Sequence, residues 1–185
     1  MIQATAANSG RRSEVNEQGV PTIVSIVGAS GSGKTSLLEK LIPELTGRGL
    51  RVATIKHDVH GFEMDKPGKD SWRHKQAGAV TSIISSPFKI GMVMDVDHDH
   101  SPDELAWLLS GADLILTEGY KQKGKNKLEL FRPDGPGEEP LCKGDKDLIA
   151  LVSDLTIDLG VPRFRISDVS ALADFIISRF DLAPS

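Results

Sequence analysis

The chain has 185 residues, of which 39% are hydrophobic and 26% charged, and its formal net charge is −4. This composition excludes a disordered chain, a collagen and a disulfide-stabilised miniprotein, and the length predicts one compact domain. An acidic chain is a poor candidate for binding nucleic acid or an anionic membrane, and the single Cys142 cannot form an intrachain disulfide. We therefore expect a cytoplasmic protein with neither a nucleic-acid nor a membrane partner.

The predicted elements alternate between strand and helix. Residues 1–20 lack the apolar core of a signal peptide, so we expect a disordered leader before a nucleotide-binding domain over residues 21–182. A β-branched run predicts a first strand at Thr22–Val27, and apolar residues at helical spacing predict a helix from Lys34. The remaining predicted elements are strands at 51–55, 81–86, 113–117, 147–153 and 163–166, helices at 70–77 and from Ser101, and a closing helix around 172–179.

One segment departs from this alternation. Residues 122–146 are rich in Lys, Gly and Pro around a single alternating stretch, Lys127–Arg132. This composition predicts an excursion from the sheet, either a hairpin or a loop.

The segment between the first strand and helix carries a phosphate-binding motif. Gly28-x-x-x-x-Gly33-Lys34-Thr35 matches the Walker A pattern in full, with the strand before it and the helix after it that the pattern requires. The glycines let the backbone approach phosphates, Lys34 is expected to reach the β- and γ-phosphates, and Thr35 is expected to ligate Mg²⁺. The predicted phosphate contacts are Ser30, Gly31, Ser32, Gly33, Lys34, Thr35 and Ser36. We therefore predict a P-loop NTPase-type three-layer α/β sandwich, with a mainly parallel sheet, helices on both faces and a hairpin excursion.

Three acidic residues follow predicted strands and are candidates for the same site. Glu118 directly follows the apolar strand predicted at 113–117 and is placed to hold Mg²⁺. The alternative is a Glu that caps a turn. Asp58 follows the second strand and is a candidate for ordering a metal-bound water, with a solvated loop as the alternative. Asp154 is a candidate acceptor for the guanine N1 and N2 edge, and a turn cap is the alternative of equal weight.

Two further patterns carry little functional weight. Asn126-Lys127-Leu128-Glu129 only superficially matches a guanine-recognition motif, because it ends in Glu and follows a polar lysine run. The segment Asp95–His100 favours an acidic loop over a metal site, because it fails the calcium-loop pattern and has no Cys partner.

Several motifs together resemble one family. The chain is similar, over roughly residues 21–180, to the molybdopterin-guanine dinucleotide biosynthesis protein B (MobB) family. The most specific elements are Asp65-Lys66-Pro67-Gly68-Lys69-Asp70-Ser71 and Thr117-Glu118-Gly119-Tyr120-Lys121. Other resembling elements are the P-loop, Ile55-Lys56-His57, Ala77-Gly78-Ala79, Leu130-Phe131-Arg132 and Ile149-Ala150-Leu151-Val152-Ser153-Asp154.

The resemblance implies a function that the motifs alone do not reach. It implies a GTP- and Mg²⁺-binding protein of weak hydrolytic activity that assists the guanylyltransferase MobA in converting molybdopterin to its guanine dinucleotide. Molybdopterin is then a further candidate ligand, and a homodimer is expected, with the predicted excursion at 122–146 contributing. By the same resemblance, Lys34 and Glu118 are the candidate catalytic residues, Glu118 as a Walker B-like acid, and Thr35 is a phosphate and Mg²⁺ contact.

Two other functions stay open from the residues alone. The same phosphate cradle serves an ATP-dependent small-molecule kinase or ligase, in which Asp58 or Asp70 would act as a base. The histidine-containing loop at 95–100 leaves a non-catalytic metallochaperone as a third hypothesis.

Overall fold

The computed structural model describes residues 20–183. The predicted leader therefore lies, apart from Val20, outside the described residues. The described chain forms two compact units, one containing the residues up to His57 and from Ser101 onward, the other Asp58–His100. Within the described range, no helix has both the length and the apolar character needed to cross a bilayer. The assignment of residues 21–182 to one nucleotide-binding domain stays a prediction.

The elements follow the predicted order closely. In chain order they are β1 Thr22–Val27, α1 Lys34–Gly47, β2 Val52–Lys56, α2 Asp70–Gln76, β3 Thr81–Ser85, β4 Ile90–Met94, α3 Pro102–Leu105, a 3-10 turn Ala106–Leu109, β5 Leu114–Glu118, β6 Lys127–Leu130, β7 Leu148–Val152, β8 Arg163–Phe164 and α4 Val169–Phe180. The predicted start at Ser101 is confirmed as a capping box, in which Ser101 and Glu104 satisfy each other's backbone N–H groups.

The first unit is a parallel sheet between two helical layers. Its six strands lie in the order β2-β5-β1-β6-β7-β8, and every pairing between them is parallel. Alternate residues of β1 point to opposite faces. Val24 and Ile26 pack in the cluster with α1 and α4, whereas Ile23 packs with Ala106 of the 3-10 turn. The predicted three-layer fold is confirmed, and it places the P-loop at the end of a central strand.

Residues 122–146 do not form the predicted hairpin. Lys127–Leu130 is strand β6, fully buried and paired in parallel with β1 and β7. Its two charged side chains have partners in the loop that follows: Lys127 pairs with Asp145 at 2.7 Å, and Glu129 accepts the backbone N–H groups of Leu141 and Cys142. These contacts offset the free-energy cost of burying two charged side chains, which is why so polar a segment can form a buried strand. The segment Asn126–Glu129, which superficially matches a guanine-recognition motif, therefore lies at the start of a buried strand. This position agrees with its interpretation as a chance match.

The second unit contains the hairpin instead. Strand β3, predicted at 81–86, pairs in antiparallel register with β4, which the sequence analysis did not identify. Several large apolar side chains of this hairpin are exposed: Ile83, Ile84, Phe88, Ile90, Met92 and Met94. The fold class thus includes a hairpin, at 81–94 rather than within 122–146.

Candidate functional site

The loop between β1 and α1 forms a cradle of close backbone approaches. Gly28, Gly31 and Gly33 all have positive φ angles. At Gly28 a Cβ atom would lie 2.4 Å from the carbonyl oxygen of Leu130 on β6, so no side chain fits there. The strand beside β1 therefore fixes the loop at its first residue.

Two buried side chains of this cradle, the Ser32 hydroxyl and the Lys34 ammonium, could each interact with an anion. Ser32 is 3% exposed, and its Oγ is buried without a hydrogen-bond partner. Lys34 is also buried, and its Nζ donates to the carbonyl oxygens of Gly28 at 3.2 Å and Ala29 at 2.8 Å. Burial lowers the pKa of Lys34, and the Glu118 carboxylate opposes that shift. An anion in the cradle would accept a hydrogen bond from Ser32 and compensate the desolvated ammonium, so the site fits a phosphate group.

Two hard oxygen donors meet at the mouth of the cradle. The Thr35 Oγ1 hydroxyl, at the start of α1, donates to both carboxylate oxygens of Glu118, at 3.0 and 3.2 Å. Glu118 ends β5, which is the neighbour of β1 in the sheet. Hydroxyl and carboxylate oxygens are the ligand type that Mg²⁺ takes, with waters completing its shell. Of the three residues predicted to hold the ion, Thr35 and Glu118 are therefore brought together.

The residue after Glu118 has a structural reason to be glycine. A Cβ atom at Gly119 would lie 2.7 Å from the carbonyl oxygen of His57. The His57 N–H donates to the Glu118 carbonyl at 2.8 Å, and the His57 ring stacks on Tyr120 with centroids 4.4 Å apart. The carboxyl ends of β2 and β5 are thus joined, which fixes the backbone position of Glu118.

An arginine that the sequence analysis did not assign to the site lies against the P-loop. Arg132 follows β6, and a Cβ atom at Gly33 would lie 3.2 Å from its Nη2. The guanidinium is thus beside the residue that precedes Lys34. The sequence signal for this position is the element Leu130-Phe131-Arg132, which is part of the family resemblance and contains Arg132 itself.

The other two predicted acids are placed differently. Asp154 follows β7, and its Oδ1 accepts the backbone N–H of Ile166 at 3.1 Å, as the turn-cap alternative expects. Asp58 begins the second unit, where its Oδ1 accepts the N–H of His60 at 2.9 Å. Their roles in guanine and metal binding stay predictions.

The acidic histidine loop does bring donor groups together. Ligand atoms of Asp97, His98 and His100 all lie within 4.8 Å of one another, and the two imidazoles stack at 3.9 Å. Asp97 and His98 are exposed and are hydrogen-bonded to each other.

Comparison with known proteins identifies the family to which the chain belongs. Residues 23–154 match the family Molybdopterin guanine dinucleotide synthesis protein B, or MobB. This chain belongs to the MobB family. The match spans the P-loop, β5 and β7, and therefore contains every predicted site residue of the sequence analysis.

Individual relatives agree with this membership. The Escherichia coli (strain K12) Molybdopterin-guanine dinucleotide biosynthesis adapter protein is 42% identical over 154 residues, covering 80% of this chain and 87% of its own. The Haemophilus influenzae protein of the same name is 38% identical over 156 residues, covering 83% of this chain and 86% of its own. A crystal structure of a MobB protein superposes with a TM-score of 0.64 at 33% identity, covering 86% of this chain and 99% of that one.

Proposed function

We propose that this MobB-family chain is a GTP-binding adapter protein in the synthesis of molybdopterin guanine dinucleotide. The observation that supports nucleotide binding is the structure of the cradle. The buried Ser32 Oγ has no hydrogen-bond partner there, and Lys34 is desolvated beside backbone carbonyls. The pathway rests on the relatives, which carry the name of molybdopterin-guanine dinucleotide biosynthesis adapter proteins.

Each residue of the cradle has a part in this proposal. The backbone and side chains of Ser30–Ser36 surround the phosphates, and Lys34 exchanges its carbonyl contacts for phosphate oxygens. Thr35 and Glu118 hold Mg²⁺ between them, directly or through water, with Asp58 as a further candidate. The ion, when bound, neutralises charge on the phosphates. Arg132 adds a second cation beside Gly33.

Hydrolysis of GTP is proposed to be weak. The site supplies cations and a metal-binding carboxylate, with Lys34 and Glu118 as the candidate catalytic residues, and fast hydrolysis also needs a group that orients the attacking water. We expect slow multiple turnover in the absence of a partner protein. The proposed partners are the guanylyltransferase MobA and molybdopterin.

A homodimer is also part of the proposal. The β3–β4 hairpin is a two-stranded ribbon with an exposed apolar surface, and Phe88 is 95% exposed. Large exposed apolar patches mark interaction sites. A second copy of the hairpin would supply complementary apolar side chains.

Calorimetric titration with Mg²⁺ and either GTP or ATP tests the proposal. We expect GTP binding by the wild-type protein and its loss in Lys34→Ala, with the fold retained by circular dichroism. The control is Lys40→Ala, an exposed lysine on the same helix, which should bind as the wild type does. Unchanged affinity in Lys34→Ala would contradict the P-loop assignment. A preference for ATP would favour the kinase or ligase alternative.

A further inference from the structure

We propose that the cavity between the loops following β6 and β7 holds the guanine base of the nucleotide, and that Asp158 recognises it. This inference rests on the proposed nucleotide binding at the P-loop. The cavity has a volume of about 610 Å³ and lies within the first unit. That volume is in the range of small-ligand sites.

The cavity shares a wall with the phosphate cradle. Gly137 lines the cavity, and a Cβ atom there would lie 3.8 Å from Cβ of Ala29 in the P-loop. In the same loop, Cγ of Pro136 lies 3.8 Å from where a Cβ atom of Gly31 would be. A nucleotide with its phosphates on the P-loop could therefore extend its nucleoside end into this adjoining cavity.

The lining suits a flat heterocycle with polar edges. Leu155, Ile157 and Leu159 after β7 contribute apolar surface, and Pro133 and Pro140 after β6 contribute the facing side. The loop after β6 is held in place because the buried Glu129 carboxylate accepts the N–H groups of Leu141 at 2.5 Å and Cys142 at 2.8 Å. The cavity is thus built by anchored segments of the chain.

The charged groups of the lining favour guanine over adenine. The N1–H and N2–H₂ groups of guanine are adjacent donors that one carboxylate can accept, whereas adenine presents an acceptor at N1. Asp158 lines the cavity, and the N–H of Gly160 donates to its Oδ1 at 2.8 Å, which orients the carboxylate. Lys143 lines the same cavity and pairs with Glu139 at 3.5 Å, and its ammonium would donate to the guanine O6.

The earlier candidate for this role is displaced by the geometry. Asp158 lines the cavity, whereas Asp154 is not among its lining residues. Asp158, four residues further along the same loop, takes its place.

Competition titrations with GTP, inosine triphosphate and xanthosine triphosphate test the inference. Inosine lacks the 2-amino group, so we expect the wild type to bind its triphosphate roughly 10-fold more weakly than GTP, as loss of a hydrogen bond to a charged acceptor predicts. Asp158→Asn should lose this discrimination and gain affinity for xanthosine triphosphate, because a carboxamide N–H can donate to the xanthine C2 carbonyl. The control Glu39→Gln, an exposed carboxylate on α1 outside the cavity, should keep the wild-type preference, and so should Asp154→Asn.

The outcomes separate this inference from the function beneath it. GTP binding with equal affinity for inosine triphosphate in the wild type, or with an unchanged preference in Asp158→Asn, would overturn the inference and leave the proposed function standing. Loss of preference in Asp154→Asn but not Asp158→Asn would also overturn it. Absence of all nucleotide binding by the wild type would overturn both. The wild-type comparison needs no variant, so equal affinity for the two triphosphates would overturn the inference even if Asp158→Asn fails to fold. Asp158→Ala is a second variant that should lose the same discrimination.

Discussion

Thr35 and Glu118, which lie 83 residues apart in sequence, are joined by a hydroxyl that donates to both carboxylate oxygens. The first opens α1 and the second closes β5, so this contact links the two elements that flank the proposed phosphate site. It sets two oxygen ligands at hydrogen-bond distance. A cation entering between them would replace the hydroxyl proton contact with two metal–oxygen bonds.

Replacing Glu118 by Gln should weaken nucleotide binding only when Mg²⁺ is present. The amide retains the shape of the side chain but loses the charge that attracts the ion, and changes in the groups around a metal commonly cost about 10-fold in affinity. Calorimetric titration with Mg²⁺ and with a chelator measures the difference. An equal loss under both conditions would show that Glu118 acts on the nucleotide without the metal. Glu39→Gln, on the exposed face of α1, is the matched control.

Replacing Arg132 by Ala should weaken GTP binding roughly 10-fold or more, because charge-assisted hydrogen bonds to phosphate are strong. The guanidinium lies against Gly33, beside the proposed phosphate position. Affinity measured at two salt concentrations should also show a smaller salt dependence in the variant. Arg165→Ala, an exposed arginine of the same unit, should change neither quantity. If both variants behave alike, the placement of Arg132 has no bearing on the nucleotide.

The Cys142 thiol should be unreactive towards alkylating reagents at neutral pH unless the protein unfolds. Burial, with a smaller contribution from the Glu129 carboxylate, raises the pKa of Cys142 from 9.0 to about 12. Its contribution to stability is therefore fully present below pH 9.0 and is lost as the pH rises through about 12, because only the unfolded chain ionises readily in that window. Chemical denaturation of the wild type and Cys142→Ala across this range should show the wild type losing more stability. Parallel curves would contradict the assignment.

Charges on the hairpin should dissociate the proposed homodimer. Ile83→Asp or Phe88→Asp places a carboxylate in the apolar surface, where burial against a second copy would leave it unsolvated. Sedimentation equilibrium should show a dimer for the wild type and a monomer for either variant. Val59→Asp is the control, since Val59 is 75% exposed in the same unit but lies outside the hairpin. A dimer that persists in both hairpin variants would place the interface elsewhere.

Local signals predicted the parts of the structure that depend on neighbouring residues. The glycines and Lys34 of the P-loop, the capping box at Ser101 and the apolar run before Glu118 each contain their own structural information within a few positions. These are the elements that the structure places as expected. Thr35 followed from the Walker A pattern, and Glu118 followed from the apolar strand before it and from the family resemblance.

The sequence was misleading where charge is satisfied at a distance. Lys127 and Glu129 made β6 look like a surface segment, because their partners Asp145 and the N–H groups of Leu141 and Cys142 lie in a later loop. The same nonlocal pairing hid Arg132, whose contact with Gly33 exists only once β6 lies beside β1. Strand β4 was missed because its apolar side chains face outward rather than into a core.

The connection from β5 to β6 crosses β1 without a helix, and Gly124 within it lies so close to Ser25 that a Cβ atom would be 2.8 Å from the serine Oγ. The segment from Glu118 to Arg132 is consequently one short continuous stretch that brings both the proposed metal ligand Glu118 and the proposed phosphate contact Arg132 to the P-loop. If this segment were exchanged as a whole between related proteins, the Glu118 carboxylate and the Arg132 guanidinium would be transferred together. Divergence at this edge of the sheet is then expected to occur in blocks rather than residue by residue.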